Sequence, residues 1–99
     1  MIGIIGYGVV GKAAANTLSK NYKLVKYDKF LDLSNFRDLF SCNHIFIMVP
    51  TPFDCSKNVV DDSAVVESLK RLNDGKYRGI VIIKSTLPPG SCEKYLNDF

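Results

Sequence analysis

Three runs of this chain are apolar at almost every position: Ile2–Ile5, Ile45–Val49 and Gly79–Ile83. A fourth, Lys23–Tyr27, is apolar with two lysines. Continuous apolar runs of this length, without alternation, predict strands buried on both faces of a parallel sheet. Between them the spacing changes to that of helices. Val10, Ala13, Ala14, Thr17 and Leu18 predict a helix from about Val9 to Lys20, with Asn21 as its stop. Val65, Val66, Leu69 and Leu72 predict another, capped by Asp61 or Asp62 and closed by Gly75. Ser34 is placed to cap a short helix through Phe40, with Phe36, Leu39 and Phe40 on one face. Pro50-Thr51-Pro52 ends the third strand, Phe53 to Val60 reads as a polar loop, and Pro88-Pro89-Gly90 precedes a last helix starting near Ser91.

Strands alternating with helices predict an α/β fold: a doubly wound parallel sheet of about four strands with helices on both faces, forming one domain over residues 1–99. Ligands of such sheets bind outside the C-terminal ends of the strands. Four segments are therefore expected to meet on one crest: Gly6–Gly11, Asp28, Pro50–Pro52 and Ser85–Thr86.

Gly6-Tyr7-Gly8-Val9-Val10-Gly11 reads G-x-G-x-x-G, placed after a strand and opening a helix. Gly6 allows the tight turn, Gly8 lets a pyrophosphate approach the backbone, and Gly11 lets helix and strand pack closely. The helix N-terminus adds free N–H groups and partial positive charge. Asp28 ends the second strand, at the distance where a carboxylate accepts the ribose hydroxyls of adenosine. Such a carboxylate repels a 2′-phosphate and favours NAD over NADP, while Lys29 beside it works against that preference. Thr51, Ser85 and Thr86 would bring hydroxyls to the cofactor. The bland readings are a structural glycine turn, a solvated strand-end aspartate, a rigid proline exit and a helix-capping turn.

Composition narrows the classes. The net charge is +3 over 99 residues, and the basic residues are scattered rather than clustered, so nucleic-acid binding is not expected. No apolar run is long enough for a membrane span, and no leader precedes the first strand. Cys42, Cys55 and Cys92 form no C-x-x-C pair and read as free thiols of a cytoplasmic protein. No metal site is expected. Cys92 lies near a helix start, His44 reads as structural, and Lys84 as a strand-end residue that is either partly buried or snorkelling.

Taken in order, G-Y-G-V-V-G, Asp28, V-P-T-P at Val49–Pro52 and K-S-T-L-P-P-G at Lys84–Gly90 resemble the N-terminal domain of the UDP-glucose/GDP-mannose 6-dehydrogenases. The resemblance spans nearly the whole chain, and its last two motifs together are rare in other NAD enzymes. It implies a Rossmann domain, NAD as cofactor, and a nucleotide sugar such as UDP-glucose oxidised at C6 to a carboxylate. It implies that Gly6, Tyr7, Gly8, Val9, Val10 and Gly11 form the pyrophosphate turn and that Asp28 holds the ribose. Thr51 and Ser85 would line the cofactor site, and Thr86 would stand by the nicotinamide with an accessory catalytic role.

The chain departs from the family in three respects. The segment between Asp28 and Ile45 is shorter, so the adenine pocket is expected to be more open. A basic residue usual after the ribose aspartate is replaced by the region of Leu33, leaving Lys29 or Arg37 to substitute. The family's catalytic glutamate, lysine, asparagine and cysteine match nothing here, so the catalytic and C-terminal domains are expected to be absent and the chain inactive alone. An open sheet edge would favour a homo-oligomer. The alternatives are a stand-alone nucleotide-sensing module without catalysis, and an unrelated NAD(P) oxidoreductase sharing only the glycine turn.

Overall fold

A computed structural model describes residues 1–31 and 33–98. In chain order these form β1 (Ile2–Ile5), α1 (Val9–Leu18), β2 (Leu24–Tyr27), a 3₁₀ helix (Phe36–Ser41), β3 (His44–Ile47), the strands β4 (Phe53–Asp54) and β5 (Val59–Val60), α2 (Ser63–Asp74), β6 (Ile80–Ile83) and α3 (Ser91–Asp98). The main sheet is parallel, in the order β2-β1-β3-β6. Ile5 lies opposite Tyr27 on one side and Ile47 on the other. The chain thus winds outward from β1 in both directions, and the crevice where the direction reverses opens above the ends of β1 and β3.

The expected fold class is observed. Helices lie on both faces, and each face has its own chemistry. On one, α1 settles over Ile4 through the small residues Gly11 and Ala15, both buried. The expected apolar stripe is therefore rotated. Val10, Ala13 and Thr17 are exposed, because close packing of a helix on a central strand selects small residues.

The other face carries the main core. Ile5, Ile45 and Ile47 pack there with Val65 and Leu72 of α2, Tyr95 of α3, and Phe36 and Leu39 of the 3₁₀ helix. Gly3 makes room for Leu39, since a Cβ there would lie 2.8 Å from the leucine's Cδ2. The short helix expected after Ser34 is thus a 3₁₀ helix led by Asn35, and its Phe36 and Leu39 are buried as expected. Tyr27, Phe36, Phe40 and Tyr77 form an edge-to-face chain with centroids 5.1, 6.1 and 6.1 Å apart.

Three further expectations are corrected. Coverage of the sheet is uneven: β1 is wholly buried, but β2 and β6 are edge strands, and Ile80 is 58% exposed. Residues 53–60 form an antiparallel pair, not an unstructured loop, with Asp54 Oδ1 accepting from the backbone N–H groups of Ser56 and Lys57 across the turn. The third strand stops at Ile47, although the Met48 N–H still donates to the Ile5 carbonyl at 2.8 Å. Gly75 closes α2 as expected, at φ −84°, and the left-handed position falls on the next residue, Lys76, at φ 59°.

Asp62 precedes α2 without capping it by its side chain; Asp61 accepts the Ser63 N–H instead, at 3.0 Å. The Asp62 carboxylate accepts from the Tyr95 hydroxyl at 2.5 Å, tying α3 to the start of α2. Burial and this carboxylate push the Tyr95 phenol well above its usual range. A tyrosine in the unfolded chain ionises near pH ~10. The tie therefore contributes fully below that pH and is lost as the pH rises further.

Two outcomes follow. Leu39→Ala, at a fully buried site, should lower unfolding free energy by about 2–5 kcal/mol in urea denaturation. Above about pH 10 the melting temperature should fall more steeply for the wild type than for Tyr95→Phe; parallel curves would refute the tie.

Candidate functional site

The site begins where β1 ends. Gly6 stands at φ +96°, and a Cβ there would lie 2.8 Å from the backbone of Met48. A Cβ on Gly11 would lie 2.1 Å from the Gly6 carbonyl oxygen. The fold itself demands both glycines. Gly8 differs: at φ −85° its backbone suits any residue, and a Cβ would meet nothing within 4 Å. No protein atom needs the space above Gly8, which is what an approaching pyrophosphate requires. The Gly8 carbonyl accepts the first hydrogen bond of α1, from the Lys12 N–H at 2.9 Å. The N–H groups of the first turn have no partner within the helix, and no acidic residue lies there to neutralise them. The residues present therefore fit a diphosphate.

Asp28 locks this turn in place. Its Oδ2 accepts the Tyr7 N–H at 2.7 Å and its Oδ1 the Phe30 N–H at 2.9 Å. The carboxylate joins the glycine turn to the exit of β2 and keeps lone pairs for further donors. It is not an ordinary solvated strand-end residue.

At the other wall, two hydroxyls stitch the exits of β3 and β6 together. Thr51 donates to the Thr86 carbonyl at 2.7 Å, and Ser85 donates to the Val49 carbonyl at 2.7 Å. Their protons are thus committed to protein acceptors. The Thr86 hydroxyl makes no hydrogen bond among the described residues.

These pieces surround one cleft of about 530 Å³, within the range of small-molecule sites. Gly6, Gly8, Val9, Val10, Asp28, Thr51, Ser85 and Thr86 line it. Tyr7 and Gly11 do not: Gly11 is buried beneath the turn, and the Tyr7 ring lies 5.3 Å from the Lys26 ammonium and 5.9 Å from that of Lys12. Lys84 lines the cleft and is exposed, so of its two expected placements partial burial is not observed. His44 is exposed at the start of β3. Cys42 is buried, which raises its thiol pKa, and Cys55 and Cys92 are exposed. Among the described residues no group of metal ligands is assembled and no helix is long and apolar enough to cross a membrane.

Sequence reasoning missed the cleft's third wall. Phe36 of the 3₁₀ helix and Glu67 and Arg71 of α2 line it, with Lys29 and Phe30. The Arg71 guanidinium carbon lies 3.9 Å from the Phe36 ring centroid and 5.5 Å from that of Tyr27, and its Nη1 donates to the Tyr27 hydroxyl at 3.0 Å. Lys29 Nζ lies 3.6 Å from Glu67 Oε2. The one usable signal was spacing: Ala64, Glu67, Ser68 and Arg71 share a helix face beside the apolar stripe.

Residues 15–99 match the UDP-glucose/GDP-mannose dehydrogenase family, NAD binding domain. The glycine turn precedes that stretch and stands on its own geometry. The solved UDP-D-ManNAc dehydrogenase from Pyrococcus horikoshii superposes with a TM-score of 0.81 at 24% identity, over 97% of this chain and 31% of that one. This likeness establishes the fold, and the chain spans about a third of that enzyme's length. No curated protein matches the chain.

The two kinds of glycine give opposite outcomes. Gly8→Ala should leave unfolding free energy within about 0.5 kcal/mol of the wild type yet weaken NAD binding at least about tenfold. Gly11→Ala should destabilise the fold by about 1–3 kcal/mol or more. Calorimetric titration and thermal melts of both variants separate the effects.

Proposed function

This chain belongs to the UDP-glucose/GDP-mannose dehydrogenase family as its NAD binding domain, and we propose that it is the cofactor-holding part of a nucleotide-sugar 6-dehydrogenase. The overall reaction converts a sugar C6 alcohol into a carboxylate, with one water supplying the second carboxylate oxygen. Each of its two oxidations removes a hydride and a proton from the substrate, and NAD, when bound, accepts the hydride. The observation that carries this reading is the convergence of the glycine turn, Asp28, Thr51 and Thr86 on one cleft at the reversal point of the sheet.

In this reading the turn at Gly6–Gly11 and the start of α1 hold the diphosphate, and Asp28 holds the adenosine ribose. Thr51 and Ser85 fix the crest between β3 and β6, where the nicotinamide end would lie. The free hydroxyl of Thr86 orients the reacting groups there. Passage to the acid also needs a nucleophilic thiol and a general base. Among the described residues no cysteine or histidine lines the cleft. Those groups would come from elsewhere in the enzyme, as would the sugar-nucleotide pocket.

The test has two arms. The 99-residue chain should bind NAD in calorimetry and form no NADH when UDP-glucose is added; turnover by this chain alone would overturn the division of labour. The enzyme containing this domain should form two NADH per nucleotide sugar consumed, and a stoichiometry of one would overturn the acid as product.

A further inference from the structure

The adenosine end of the cleft holds two cations, and both are already engaged. Lys29 follows Asp28 directly, and its ammonium is 3.6 Å from the Glu67 carboxylate on α2. Arg71, one helical turn beyond Glu67, is stacked on Phe36 and bonded to the Tyr27 hydroxyl. Glu67 thus stands between the two, paired with Lys29 and at the i, i+4 spacing from Arg71. All of these residues line the cleft with Asp28.

We propose that Glu67 selects NAD over NADP by holding the Lys29 ammonium and adding a second carboxylate beside Asp28. The proposal rests on dinucleotide binding in this cleft with Asp28 at the adenosine ribose. NADP differs from NAD by a phosphate on that ribose, which carries about −1.5 to −2 charges at neutral pH. It would meet two carboxylates lining the same cleft, and the cation next to Asp28 in the chain is already paired with Glu67. The bond from the Phe30 N–H to Asp28 folds the loop back on itself and keeps Lys29 at this corner. Asp28 cannot discriminate alone, because both its oxygens already accept backbone N–H groups and, without Glu67, Lys29 would offset its charge. Both members of the Lys29–Glu67 pair are more than half exposed, at 64% and 52%. Such a pair contributes little to folding, so changing it alters the local field and not the fold.

The experiment titrates NAD and NADP separately into wild type, Glu67→Gln, Lys29→Gln and the double variant, with circular dichroism confirming that each is folded. Glu67→Gln should strengthen NADP binding at least about tenfold and leave NAD within about twofold. The gain should shrink as ionic strength rises and be clearly smaller when Lys29 is also replaced, since only the relief of carboxylate repulsion then remains. Unchanged NADP affinity in Glu67→Gln, or an equal gain without Lys29, would overturn the proposal. Failure of the wild type to bind NAD would instead overturn the assignment of the cleft itself, so the two failures are distinguishable.

Discussion

The carbonyl oxygen of Gly6 and the α-carbon of Gly11 meet so closely that no Cβ fits between them. This contact brings the start of α1 down onto the end of β1. The helix N-terminus, with its unpaired N–H groups and roughly half a positive charge, then stands at the crest of the sheet and not beside it. The outward turn at Gly6 and the open space at Gly8 follow from that approach. So does the exposure of Val9 and Val10, which line the cleft because the helix packs through Gly11 and Ala15.

Around this contact, several groups suited to meeting a ligand also hold the loops. Asp28 already binds two backbone N–H groups of the loops it joins. Thr51 and Ser85 join the exits of β3 and β6 through their own protons. Such ties preorganise a site, since loops that are already ordered lose less entropy on binding. They also separate roles that composition alone cannot separate. The Thr86 hydroxyl and the space above Gly8 are open to a ligand because no described protein group uses them, whereas the Thr51 and Ser85 hydroxyls are held by the scaffold.

The strands and the crest were legible in the sequence because they depend on local features. Unbroken apolar runs mark parallel strands, and a glycine turn between a strand and a helix has few other uses. The face of α1 was misread because apolarity suggests Val10 while close packing selects Gly11 and Ala15. The pairing of β4 with β5 was missed because its ladder is two residues long and half exposed. Glu67 and Arg71 were invisible for a different reason. On a helix facing water they would look the same, and only the packing of α2 beside the 3₁₀ helix turns them into a wall of the cleft.

That packing traces back to the short connection between β2 and β3. It must pass over β1, and it does so with a single 3₁₀ helix, which fits because Gly3 leaves space for Leu39. A 3₁₀ turn eclipses residues three apart, so Phe36 and Leu39 point the same way, into the core, and Phe36 reaches the Tyr27 ring at the end of β2. Two aromatic rings now lie where the second strand meets the cleft, and they form the surface on which Arg71 rests. A positive charge over a ring face is held without a carboxylate of its own. The acid on the same helix face, Glu67, is therefore left to pair across the cleft with Lys29. The economy of one connection thus reaches the electrostatics of the site: the short crossover supplies the rings, the rings hold the arginine, and the free glutamate meets the lysine beside Asp28.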